Sequence, residues 1–102
     1  MVNPNRPLFI PNAFSPNFDG NNDKFTIFGG PAAVRITELR IFDRWGNMVY
    51  NGFDLPLGDS RFGWDGLFDG QELQQGVYGF VAKVLFLDEV EETIGGDITL
   101  VK

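Results

Sequence analysis

The chain contains no cysteine and no histidine. Without thiols there are neither disulfides nor thiolate ligands, and without imidazole the usual general base and the commonest transition-metal ligand are missing. Ser15 and Ser60 are the only serines, and neither has a histidine to activate it. The lack of cysteine leaves the compartment open, because a secreted domain with an adequate core can dispense with bridges. Positive charge is scarce too: eight Lys and Arg stand against 14 Asp and Glu, for a net charge of −6. The cations are scattered singly, so no basic patch can neutralise phosphates, and nucleic-acid binding is disfavoured. No apolar run approaches the ~18 residues that cross a bilayer as a helix. Met1 to Pro16 lacks both the basic start and the apolar centre of a secretion leader. The chain reads as soluble, not membrane-spanning, and cut from a longer protein.

What is present fits one small domain. A length of 102 residues is enough for a single hydrophobic core, needing no metal or bridge merely to fold. Met1 to about Pro7 reads as linker. The 13 glycines and 11 phenylalanines favour strands joined by tight turns. Period-two alternation recurs in "KFTIF", with Phe25 and Ile27 on one side, and in "ELRIF", with Leu39 and Ile41 opposite Arg40. Val34 and Ile36 are out of phase with Leu39 and Ile41, which predicts an extra residue near Thr37 or Glu38. "DRWGN", Asp43 to Asn47, predicts a hairpin closed by Gly46.

From Asn51 to Gly76 the alternation lapses, predicting a long packed connection anchored by Leu55, Leu57, Phe62 and Trp64. "VYGFVAKVLFLDE" then places Tyr78, Phe80, Ala82, Val84 and Phe86 on one face with a second apolar face behind them, as a central strand requires. After the turn "DEVEE", Ile94, Ile98 and Leu100 are in phase in a last strand. No window carries a capped helical stripe. The expectation is an all-β, immunoglobulin-like antiparallel β-sandwich of about seven strands.

Three stretches invite a functional reading. In "NFDGNND" the oxygens of Asn17, Asp19, Asn21 and Asp23 recur at every second residue, a hard-oxygen set that suits calcium, with Asp19 and Asp23 supplying the charge. The distant bidentate glutamate of a calcium loop is absent, and an Asx-rich turn capping its own amides explains the same residues without metal. "GWDGLFDG" offers Trp64 with Asp65 and Asp69, two carboxylates near an aromatic platform as in a glycosidase or sugar-binding site, but a sandwich this small has little room for a cleft with two carboxylates held across it. Trp64 reads instead as a core plug, with Asp65 and Asp69 shaping turns, and Trp45 as pinning its hairpin to the sheet. The carboxylates of "DEVEE" read as a solvated turn that keeps an edge soluble. No catalytic constellation emerges.

Read in order, "FIPNAFSPNFDGNNDKF", "FDRWGNMVY", "GWDG", "GVYGFVAKV" and "GGDITLVK" resemble the gliding motility-associated C-terminal domains, the type B C-terminal domains of the bacterial type IX secretion system. The resemblance runs from about Leu8 to Lys102; Phe18 stands where the family usually has glycine. It implies a non-catalytic sorting domain at the C-terminus of a larger exported protein, often an adhesin or enzyme of Bacteroidota-type bacteria. Such a protein passes through the periplasm and ends on the cell surface or outside the cell. The implied partners are the cargo that precedes the domain and the type IX translocon, including a SprF-like outer-membrane protein. No cofactor is implied; calcium is the one candidate ligand that the residues themselves suggest.

The last strand, Ile98, Thr99, Leu100, Val101 and Lys102, is a candidate for the element that is read, because at a sheet edge it would offer backbone groups for strand addition. Phe9, Ile10, Phe14 and Phe25 are expected to be buried. The alternative reading is a calcium- or carbohydrate-binding module of an extracellular multidomain protein, with Trp45, Trp64 or Tyr50 as the stacking surface.

Overall fold

The computed structural model describes residues 8–15, 24–59, 63–68 and 70–101. The fold is all-β, with nine strands among these residues: β1 (Leu8–Phe9), β2 (Ala13–Phe14), β3 (Phe28–Gly29), β4 (Ala33–Phe42), β5 (Met48–Leu55), β6 (Leu67–Phe68), β7 (Gln71–Glu72), β8 (Gly76–Phe86) and β9 (Glu91–Leu100). Five of them form the main sheet in the order β2-β9-β8-β4-β5, while β1 pairs with β3 and β6 with β7.

The central place of β8 follows from its composition. Tyr78, Phe80, Ala82, Val84 and Phe86 are all buried on one face, and Val81, Lys83 and Leu85 are half-buried on the other. With a strand at each edge, the outer side chains of β8 are partly screened by their cross-strand neighbours, which accommodates apolar residues on that face too. Across the sheet, Ile36, Leu39, Ile41, Ile98 and Leu100 join the same buried face. The opposing layer is supplied by Phe25, Ile27 and Trp64, each at most 1% exposed. Ring contacts run from Phe80 to Phe25 (centroids 5.3 Å apart), Phe25 to Phe14, Phe14 to Trp64 and Trp64 to Tyr78, so one aromatic file joins the two layers.

The bulge forms where the phase change placed it: Ile36 faces Val84 and Glu38 faces Lys83, leaving Thr37 as the extra residue. A second bulge at Val34, between the pairs Ala33 with Phe86 and Arg35 with Leu85, was not expected; it turns Val34 outward, where it is exposed.

Several expectations need correction. The sheet is mixed, not purely antiparallel, because β2 runs parallel to β9, with Ala13 beside Thr99 and Phe14 beside Leu100. "KFTIF" is a single bridge at Phe25 followed by the short β3, although Phe25 and Ile27 do point into the core. Strand β5 continues through "NGFDL" to Leu55. Gly52 hides this strand from a pattern reading, but a Cβ there would stand 2.6 Å from the Tyr50 hydroxyl, so the glycine makes room for the tyrosine that folds over it. The connection that follows is shorter than expected and carries the small β6–β7 hairpin. Phe9 is exposed while Leu8 and Ile10 pack on the core: the alternation along β1 is strict, and Phe9 rests on Phe28 outside, centroids 6.0 Å apart.

Candidate functional site

The four oxygen-bearing residues Asn17, Asp19, Asn21 and Asp23 lie outside the described residues, as do Phe62, Asp69 and Lys102. Among the described residues no group of three or more acidic side chains is gathered as a metal would need. In "GWDG" the side chain of Trp64 is buried and its Nε1 donates to the Leu67 carbonyl at 3.3 Å. Asp65 accepts the Leu67 amide at 3.1 Å, and Gly66 turns the chain at φ +81°. A tryptophan plugged into the core presents no stacking face, which removes Trp64 from any carbohydrate platform. "DEVEE" is a tight turn: Glu89 N donates to Phe86 O, Phe86 N to Val90 O, and Asp88 accepts the Val90 amide.

The residues of the last strand divide by face. Ile98 and Leu100 are buried and belong to the core; Thr99 and Val101 alternate outward. Their backbone amides are engaged by β2, Thr99 N donating to Asn12 O and Val101 N to Phe14 O, each at 2.9 Å. The end of β9 is therefore covered. By alternation from these two bonds, the backbone groups of Thr93, Gly95 and Asp97 aim away from β8, and no strand among the described residues pairs with them.

The hairpin between β4 and β5 lies at this same end of the sheet, since Phe42 at its base pairs with Met48 and with Gly79, and Gly79 pairs with Asp97. Its loop is held by one carboxylate. Asp43 Oδ1 accepts the amides of Trp45 at 2.9 Å and Asn47 at 2.8 Å, and Oδ2 accepts Asn47 Nδ2 at 3.2 Å. Asp43 N donates to Asn47 O, Gly46 N donates to Asp43 O, and Gly46 has φ +84°. Burial pushes the Asp43 carboxyl up, but the hydrogen bonds from Asn47 and Trp45 and the Arg44 charge outweigh it and hold the group below its ordinary value.

Trp45 does not pin this hairpin to the sheet. Its residue is 73% exposed, because the clamp on Asp43 turns it out of the loop. The Arg44 guanidinium carbon lies 5.2 Å from the Trp45 ring centroid, a cation–π contact. Arg44 also passes over Gly76, where a Cβ would stand 3.4 Å from its terminal nitrogen. Composition flagged Trp45, but nothing in the residue pattern could say which way it points.

On the outer face of the sheet one ion-pair network occupies the middle. Glu38 accepts Arg40 Nε at 2.7 Å and Asn51 Nδ2 at 3.1 Å, with Lys83 Nζ at 3.8 Å. The Arg40 hydrogen bond, then that from Asn51, hold the Glu38 carboxyl below its ordinary value. This network crosses three strands, β4, β5 and β8.

A family model described as CHU_C Type IX secretion signal domain matches residues 8–100, and the chain belongs to that family. No curated protein matches the chain. The family is one of secretion signals and not an enzyme class, and membership implies export across the outer membrane to the cell surface or medium.

Proposed function

We propose that this domain is the address by which a larger protein, joined ahead of it, is taken through the type IX pathway from the periplasm to the cell surface or the medium. The observation that carries the reading is the family match across residues 8–100. The geometry supports it: the two-layer core is closed by an aromatic file, so a receptor meets a preformed surface and not a segment that must order on binding. The domain acts by being bound, not by catalysis. Its partners in this reading are the cargo it carries and the outer-membrane translocon, including a SprF-like component. The outward side chains of Thr99 and Val101 belong to the surface that is read, together with Lys102, while Ile98 and Leu100 act by holding that strand in place.

The test is export of a passenger. A fluorescent protein with a periplasmic leader, fused ahead of residues 1–102, is expressed in a bacterium with a working type IX system beside the same passenger alone. Passenger at the surface or in the medium only when the domain is attached is the expected result. Retention of a folded fusion in the periplasm would overturn the reading.

A further inference from the structure

The hairpin tip is overbuilt for a connection. Two residues suffice to join antiparallel strands, yet here a five-residue loop is braced by three hydrogen bonds to the Asp43 carboxylate and two between backbone groups. The outcome of this bracing is a fixed, solvent-facing tryptophan. At the same end of the sheet, Met48 (49% exposed), Val77 (54% exposed) and Val101 are further exposed apolar side chains. Met48 pairs with Phe42 and Phe42 with Gly79, while Val77 lies two residues before Gly79 on β8, beside Thr99.

Charge at this end is asymmetric. The Asp43 carboxylate is consumed by its loop, whereas Arg44 forms no ion pair among the described residues and is presented over the Trp45 ring. Tryptophan and arginine side by side on a rigid support are the residue types that dominate binding energy at protein interfaces. With Arg44 over the ring, Trp45 has less free aromatic face to offer a sugar, and a net charge of −6 opposes adsorption to an anionic membrane surface.

We infer that the Arg44–Trp45 tip is the principal docking surface of the domain. It fits a folded protein partner that offers an apolar pocket for the indole and a carboxylate at the pocket rim for the guanidinium. The inference rests on the sorting role proposed above and names the part of the domain that the export machinery grips.

The experiment uses the passenger fusion with Trp45→Ala, Arg44→Glu and Leu87→Ala. Leu87 is a control: it is 69% exposed but sits in the turn after β8, at the opposite end of the sheet. Export is read as the ratio of external to periplasmic passenger, and folding is read from the thermal midpoint of each isolated fusion. Trp45→Ala and Arg44→Glu are each expected to lower the ratio by about tenfold or more, the scale of a lost interface anchor, with midpoints close to that of the unsubstituted fusion. Leu87→Ala is expected to leave the ratio unchanged. Normal export of both tip variants, with the unsubstituted fusion exported, would overturn the inference and leave the sorting role standing. Failure of the unsubstituted fusion itself would remove the sorting role and the inference with it. An equal loss in Leu87→Ala would also count against the tip, since it would show that export responds to any surface change.

Discussion

Phe25 and Trp64 exchange both of their backbone hydrogen bonds, Phe25 N to Trp64 O at 2.8 Å and Trp64 N to Phe25 O at 3.1 Å, and both side chains are buried. This isolated bridge joins the end of "NDKF" to the start of "GWDG", two stretches that look like separate loops in the sequence. It sets the indole against Phe14 and Tyr78.

Trp64→Ala should therefore cost about 3–5 kcal/mol, the range for deleting a large buried aromatic. Trp64→Phe should cost less, because it keeps a ring in the file while losing the Nε1 hydrogen bond to Leu67. Denaturant melts of the two variants check this; equal losses would mean that the hydrogen bond, not ring packing, sets the cost.

Gly46→Ala should destabilise by about 1–2 kcal/mol. The space around Gly46 is open, with nothing within 4 Å of an added Cβ, so the cost is that of the left-handed backbone alone. Gly46→Asn should recover part of the loss, and a thermal midpoint for each variant separates the two.

The legibility of this fold follows the same division between pattern and conformation. The bulge at Thr37, the hairpin at Gly46 and the central strand from Gly76 were readable because alternation and turn chemistry are local. The parallel pairing of Ala13 and Phe14 with Thr99 and Leu100 was not, since two residues carry no period and their partner lies at the far end of the chain. Strand β5 is not legible beyond Tyr50 because Gly52 and Asp54 weaken a strand signal; Asp54 sits at φ +53°. Of the proposed docking surface, the residue types are visible in the sequence and the exposure is not. Trp45 and Trp64 are chemically identical, and only the Asp43 clamp in one case and the Phe25 bridge in the other send them in opposite directions.

Stability should fall on acidification partly through Glu38. Its carboxyl is held below the ordinary value by Arg40 and Asn51, so its contribution is full above the unfolded pKa of about 4.3 and is lost as pH drops through the lower folded value. Glu38→Gln should flatten the stability profile in that interval. Parallel profiles for the two proteins would show that the network does not act through charge.

Thr26 is buried, and its hydroxyl has no hydrogen-bond partner among the described residues. Thr26→Val keeps the shape and removes the orphaned group, so stability should rise by about 1 kcal/mol. A fall of similar size in a denaturant melt would reveal a partner for the hydroxyl.

If the side chains of "NFDGNND" cap their own backbone amides, the thermal midpoint should not move between chelator and millimolar calcium. A rise with calcium that Asp19→Asn together with Asp23→Asn abolishes would instead assign an ion to these side chains.

The parallel pair of β2 and β9 has a consequence for synthesis. Among the described residues β2 finds its only sheet neighbour in the last strand, so during translation it waits until nearly all the rest of the domain has emerged from the ribosome. A product broken off anywhere before Ile98 leaves that early strand with nothing to hold. Completeness of the domain is thus written into its shape, because the strand made early is held only by the strand made late.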